Sequence, residues 1–388
     1  MQLAPTRVFK RRLRRTGGGI DPLLWFRRKG EADRRITTRI RVNWTEFFMA
    51  RWENVYIAAT AVDLPPVVPV SEAVADGRYP EKLARRTQQR TVTVAPADEP
   101  PAAFAARAAK AALAESGYAF DDVGLLVHTS VLDPSPRMSN PVMWLEREIG
   151  PGGFRDVAQL MNGCDGVVNG MRWAAARLTS ETEHGAALVT AAESWQPKEV
   201  IDRWTVDPDT PFGDGGAALV MSRDHGIARV LAAVSHTQPH LEGVHRGPRV
   251  FGQGVSLPVV LSQRSRAFYE TSDISREAAW KMRGDGIGAV IDKVLADAGI
   301  AREQVARVVL PFRGRQVLEE EYFPYLGDLE PARSSEERGR EIGHLGGADP
   351  IAALHYAIAS GELSPGDHAV VFSEGVGIVQ SAVLVEVV

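Results

Sequence analysis

The chain has a single cysteine, Cys164, in 388 residues. That excludes an internal disulfide framework and any zinc or iron–sulfur centre built on several thiolates, and it fits a reducing, cytoplasmic setting. No stretch approaches the roughly 18–20 consecutive apolar residues of a membrane span, so no membrane partner is expected. Nine histidines are present, but none stands in HExxH or a comparable ligand spacing. His236 and His240 are four apart, yet Pro239 between them argues against the helix that would face them together. No metal site is expected. Beyond residue 50 no tract is low in complexity.

With 44% hydrophobic and 24% charged residues there is ample core, which rules out wholesale disorder and a fibrous class. The net charge of −4 hides an asymmetry, because residues 1–48 carry 13 Lys/Arg against 4 Asp/Glu, net +9, leaving −13 for the rest. Such an arm can touch nucleic acid or acidic lipid, but its plain reading is a solvated tail, with the body beginning near Met49, and no nucleic-acid role is assigned. Arg11, Arg12, Arg14 and Arg15 suggest an export signal, but Thr16-Gly17-Gly18-Gly19 follows where an apolar segment belongs, so export is not expected. Residues 1–50 are read as a basic, disordered extension.

An internal repeat organises the remainder. Leu113/Leu295, Gly117/Gly299, Val123/Val305 and Val127/Val309 are each 182 residues apart, and Ala187-Leu188-Val189 falls on Ala369-Val370-Val371 at the same offset. Each copy reads as an amphipathic helix, a glycine cap, a polar turn and a β-branched run. Strands are expected near 54–62, 123–131, 186–194, 215–222, 226–237, 306–311, 367–373 and 378–387. Helices are expected near 101–117, 140–150, 164–181, 274–283, 286–298 and 350–361. Helices alternating with apolar strands mean sheets covered on both faces, an α/β class. The segments 63–100 and 238–272 read as irregular connections. Duplication gives two halves, 51–237 and 238–388, the first with Cys164 and the second with His344. At the repeat offset Cys164 maps to Gly346, inside Gly343-His344-Leu345-Gly346-Gly347, so a thiol loop and a histidine loop hold equivalent places and can meet at a pseudo-twofold axis.

Cys164 opens the helical run after Gly163-Cys164-Asp165-Gly166, where the positive end of the helix dipole favours a thiolate nucleophile. The residues alone leave it either a nucleophile or a buried structural thiol. His344 is either a general base or a helix-entry residue bonding backbone. Asp349-Pro350 has the form of an N-cap followed by proline at the first helical position, a role compatible with orienting His344. Asp214, in Phe212-Gly213-Asp214-Gly215-Gly216, reads as a structural residue bonding backbone in a glycine turn, and a phosphate cradle is disfavoured because a strand follows it. Trp195, beside Glu193 and Ser194, borders an acyl pocket or is an ordinary packed aromatic.

The order of these motifs resembles the thiolase-fold β-ketoacyl-acyl-carrier-protein synthase III family. Gly163-Cys164-Asp165-Gly166 is similar to its acylated turn and Pro211-Phe212-Gly213-Asp214-Gly215-Gly216-Ala217-Ala218 to its FGDGAGA-like loop. Leu310-Pro311-Phe312-Arg313-Gly314-Arg315 is similar to its catalytic-His segment, Gly343-His344-Leu345-Gly346-Gly347 to its catalytic-Asn segment and Gly375-Val376-Gly377 to its last glycine loop. The resemblance covers about 54–388 and implies duplicated αβαβα layers, acyl transfer through Cys164 and a homodimer. Two positions depart from the pattern. Phe312 replaces the His and His344 the Asn that together stabilise an enolate, and phenylalanine has no donor, so decarboxylative condensation is disfavoured.

What the resemblance then implies is the acyltransferase branch, in which Cys164 takes an acyl group and His344 deprotonates a hydroxyl or amine of a small-molecule acceptor in natural-product biosynthesis, with Asp349 orienting His344. The N–H groups of Cys164 and Gly377 would form the oxyanion hole, and Phe312 and Arg313 would contact substrate. The acyl carrier would be the phosphopantetheine of acyl carrier protein, or coenzyme A, with no cofactor bound. Arg313, Arg315, Arg246 and Arg249 are candidates to receive an acidic carrier protein. The competing readings are a condensing enzyme joining two acyl chains and a non-catalytic partner of a synthase.

Overall fold

The computed structural model describes residues 48–388 except 133, 134, 137, 154, 182 and 251–256. Of the basic extension read over 1–50, residues 1–47 lie outside the described residues. Phe48–Arg51 is a strand, so the expected boundary at residue 51 falls at the end of that strand.

The strands are β1 Phe48–Arg51, β2 Tyr56–Asp63, β3 Val67–Pro69, β4 Thr91–Thr93, β5 Val123–Thr129, β6 Asp156–Leu160, β7 Ala186–Glu193, β8 Gly215–Ser222, β9 Ala228–Thr237, β10 Val305–Val309, β11 His368–Gly375 and β12 Val379–Val387. β3 and β4 pair separately. The others form one sheet in the order β10-β11-β12-β9-β2-β8-β7-β5-β6, with β1 beside β9. The order is palindromic about β9 and β2. Outward on either side come antiparallel β12 or β8, antiparallel β11 or β7, and parallel β10 or β5. This is the arrangement a duplication leaves behind. β9, read from the sequence as the end of the first half, pairs along its length with β12 of the second.

Side chains alternate across each strand, and both faces are buried. Ala187, Val189 and Ala191 of β7 face a central core with helices Gly166–Ser180 and Asp349–Ala359, to which Val383, Val385 and Val387 of β12 also contribute. The other faces are covered by outer helices. Pro101–Ser116 packs on Ala186, Leu188 and Ala192, and Arg276–Ala298 on Ala382 and Leu384. The two halves of the sheet, joined through the short β2–β9 pairing, each lie between the central helices and an outer helix, giving five layers of helix, sheet, helix, sheet and helix. Gly117 and Gly299 close the equivalent outer helices in the left-handed conformation, at φ 78° and 72°, as the repeat requires.

Helices read as 274–283 and 286–298 are one helix, Arg276–Ala298. The segments read as irregular contain helices Val70–Ala75, Glu81–Thr87 and Leu261–Thr271. The repeat offset also slips locally. The 3-10 turn Gly163–Asp165 leading into Gly166–Ser180 corresponds to Gly346–Ala348 leading into Asp349–Ala359, so the counterpart of Cys164 is Gly347, one residue beyond the expected position.

Candidate active site

Two crossover turns meet where the central helices begin. Gly163 and Gly346 both take φ 59°, a left-handed value that lets each strand-to-helix turn reverse tightly. A Cβ on Gly347 would sit 3.1 Å from Thr129 Oγ1 and 3.7 Å from the carbonyl of Gly163, so the turns touch through glycine. Cys164 rides on the first turn, ahead of its helix rather than within it, and Ser373 Oγ donates to its carbonyl at 2.9 Å.

His344 enters from the opposite half. Its Nε2 lies 3.2 Å from Cys164 Sγ, and its Nδ1 bonds Asp349 Oδ2. Asp349 is completely buried and accepts Leu345 N–H on Oδ1 at 2.8 Å and Phe312 N–H on Oδ2 at 2.7 Å. The capping role expected for Asp349 is absent. It is the first residue of its helix, Ala348 holds the cap position with no side-chain bond, and the carboxylate turns to the histidine loop instead. Burial opposes charge on His344, but the Asp349 carboxylate and then the Cys164 sulfur outweigh it and push the imidazole up to about 10.

The loop at Phe212 clamps the histidine backbone. His344 N–H donates to Pro211 O and Gly213 N–H to His344 O, each at 3.0 Å. A Cβ on Gly213 would run into the Ile342 carbonyl, so that glycine is dictated by backbone approach. The Phe212 ring lies 5.0 Å from the imidazole and 4.2 Å from Trp195. Asp214 is a buried structural anchor that accepts Ala95 N–H at 2.8 Å and Trp195 N–H at 2.9 Å and pairs bidentately with Arg203. Arg203, eleven residues upstream with no motif around it, could not be singled out from sequence.

A cavity of about 900 Å³ opens over Cys164 and His344, lined by Trp195, Phe212, His245, Arg313 and Gly377 among others. Phe312 does not reach it. It is 1% exposed, its ring packs in the central core with Ile342 and Leu345, and only its backbone serves the site, through Asp349. The expected substrate contact is therefore withdrawn. Arg313 borders the cavity but pairs with Asp207 at 3.0 Å, and Arg315 pairs with Glu319 and Glu336, so both are committed internally rather than offered to a carrier protein. Arg246 likewise pairs with Glu242 at 2.8 Å. The Gly377 N–H, expected in the oxyanion hole, donates to His245 Nδ1 at 3.0 Å.

Other groups also escaped the sequence reading. Glu193, the last residue of β7, buries its carboxylate against the N–H groups of Val131 and Leu132 beside the histidine loop. Burial pushes it up to about 8. An acid closing a strand of otherwise uncharged, mostly apolar residues was its visible signal. Asp165 is held by Asn169 at 2.5 Å and Ser381 at 2.9 Å, and burial raises it well above the carboxylate range. Among the described residues no cluster of His, Cys, Asp or Glu could hold a metal ion, and no helix is long and apolar enough to cross a membrane.

Five layers around two glycine turns, with a thiol, an imidazole and a carboxylate in series, define an acyl-transferring or condensing enzyme. Residues 158–239 match the 3-oxoacyl-[acyl-carrier-protein] synthase III family and residues 295–387 its C-terminal family. The structure described as the acyltransferase ChlB3 is 32% identical at a TM-score of 0.80, the match covering 87% of this chain and 98% of that one. 3-Oxoacyl-[acyl-carrier-protein] synthase III from Aquifex aeolicus VF5 is 20% identical at 0.67, over 86% and 99%. OleA from Xanthomonas campestris, with bound lauric acid and lauroyl-CoA, is 19% identical at 0.65, over 86% and 99%, a likeness of fold. The chain belongs to the 3-oxoacyl-[acyl-carrier-protein] synthase III family, whose members act on acyl thioesters of coenzyme A or acyl carrier protein.

Proposed function

We propose that this enzyme is an acyltransferase that moves an acyl group from an acyl carrier protein or coenzyme A thioester, through Cys164, to a hydroxyl or amine of a small molecule in natural-product biosynthesis. The observation that carries the reading is the series Cys164–His344–Asp349, with Phe312 turned into the core where a second enolate donor would be needed. The likeness to ChlB3 supports it.

Cys164 sulfur attacks the thioester carbonyl, and the oxyanion is held by the N–H groups of Cys164 and Gly377. One such donor is worth on the order of 3 kcal/mol in the transition state. As the intermediate collapses, the carbon–sulfur bond to the carrier breaks and the leaving thiolate takes the proton from His344. His344 has given its proton to the leaving thiolate, and because the acyl-enzyme has no charge on sulfur one of the two supports of the imidazolium is gone, so the ring can act as base. The acceptor gives its proton to His344 as its oxygen or nitrogen bonds the acyl carbon, and Cys164 leaves with the electron pair. Asp349 holds the ring tautomer in both half-reactions.

The lone cysteine supports a cytoplasmic setting. Among the described residues the edge strand β6 pairs with β5 alone, and its other side offers an open edge for a second copy in a homodimer.

Intact-protein mass after exposure to a panel of acyl thioesters tests the reading. An acyl adduct on Cys164, lost in Cys164→Ala and discharged by nucleophilic acceptors, is expected. Absence of any adduct would overturn it. A new carbon–carbon bond in the product would point to condensation, and full pathway function of Cys164→Ala to a non-catalytic partner.

A further inference from the structure

His245 is the penultimate residue of the short helix Gly243–Arg246, in a stretch read from sequence as mere connection. It lines the same cavity as Cys164, His344 and Gly377. Its Nδ1 lies 3.0 Å from the Gly377 nitrogen. A backbone N–H can only donate, so Nδ1 carries a lone pair and the ring proton of the neutral imidazole is on Nε2.

The surroundings keep the ring in that form. Burial, then Arg283 from helix Arg276–Ala298, Arg313 after β10 and Arg264 from helix Leu261–Thr271 all disfavour a second proton, bringing the group down to about 4. Arg264 also donates to the His245 carbonyl at 3.3 Å, fixing the backbone that presents the ring. The charges that weigh on His245 are those three arginines, whereas Asp349 and Cys164 keep His344 charged; Glu321 and Glu374, which line the same cavity, are spent on Arg283. The cavity thus holds one charged and one neutral imidazole, and the neutral one points its lone pair at the backbone donor.

An oxyanion donor works at roughly 2.7–3.1 Å from the developing oxygen. The imidazole nitrogen stands at that distance from Gly377 N–H. On the reading of Gly377 as half of the oxyanion hole, we infer that His245 is a gate on that hole: in the free enzyme its Nδ1 occupies the Gly377 N–H, and an acyl thioester must displace it before its carbonyl oxygen can use the donor. Gly377 and Ile378 lie at φ 82° and 61°, so the displaced bond belongs to a tight left-handed turn that keeps the N–H in place after the ring leaves. His245 is a positioning residue that touches the donor, not the reacting atoms.

The test compares wild type, His245→Ala and His245→Asn with a short acyl-N-acetylcysteamine thioester, read as the rate of adduct formation on Cys164 by intact mass. Iodoacetamide alkylation of Cys164 is the companion readout, because displacement at carbon needs no oxyanion hole. His245→Ala is expected to acylate about 2–10-fold faster, the worth of one neutral hydrogen bond, with alkylation changed less than twofold. Asn presents its Oδ1 at the position of Nδ1, so His245→Asn is expected to return acylation to the wild-type rate. Acylation that is unchanged or slower in His245→Ala while alkylation holds overturns the gate, as does failure of His245→Asn to restore the wild-type rate. If wild type itself forms no adduct, the acyl-enzyme reading fails and the gate falls with it. An adduct on wild type with no effect of His245 sinks the gate alone.

Discussion

At the scale of residues, the site turns on which groups hold the proton of His344. Removing the carboxylate in Asp349→Asn leaves burial as the main influence, so the imidazole falls below its raised position near 10. The expected consequence is a loss of about 10²–10⁴-fold in acylation of Cys164, with a pH step appearing in the neutral range, measured by quenched intact mass across pH. Stability follows the same linkage. A histidine raised from 6.5 to about 10 contributes fully below 6.5 and loses that contribution as pH rises through 10. Glu193, raised from 4.5 to about 8, gives a second loss between those values. The thermal stability of wild type should therefore fall as pH rises from 4.5 to about 8, and Glu193→Gln should lack that part of the slope. Cys164, His344 and Asp349 could be named from their motifs, because each stands beside glycines at or just before the start of a helix. Glu193 and His245 could not, since a buried polar group becomes legible only through the backbone N–H it faces.

At the scale of elements, the glycine-rich loops are contacts between backbones. Gly213 lies against Ile342 and Thr93, and Gly343, at φ 84°, against Gly213. Gly213→Ala must separate the loop from the segment carrying His344. A loss of about 1–3 kcal/mol in denaturant unfolding is expected, together with impaired acyl transfer. The ion pair behind that loop is more demanding. Arg203→Ala leaves Asp214 buried without its partner and should cost about 3–5 kcal/mol in the same measurement. The elements the sequence misread share one cause. Gly284 and Gly286 look like a break between two helices, yet the helix runs through them because Tyr325 and Gln380 occupy the space a side chain would fill. Helix Arg333–Ile342 escaped because its buried face is Ser334, Ser335, Gly339 and Ile342, three small residues and one large apolar one, with no hydrophobic period to detect.

At the scale of the whole molecule, the palindromic sheet brings the two halves together so that one supplies sulfur and the other imidazole and carboxylate. Neither half is a site alone. The open edge of β6 carries the homodimer expectation to a direct measurement: sedimentation equilibrium should return twice the monomer mass of 42.2 kDa, and a proline at Gln159, whose N–H alternates away from β5, should lower it by removing an edge donor. By itself the sequence determined the α/β class, the duplication, the glycine caps and the identity of the three groups in series, because periodicity, repeat spacing and motif order are local or additive features of a chain. Only the tertiary structure decided that Asp349 serves the imidazole rather than its helix, that Phe312 and Arg313 are spent on core and ion pair, and that Gly377 faces His245. Each of those is settled by which partner arrives from a distant segment, and a single chain read in order carries no record of that competition.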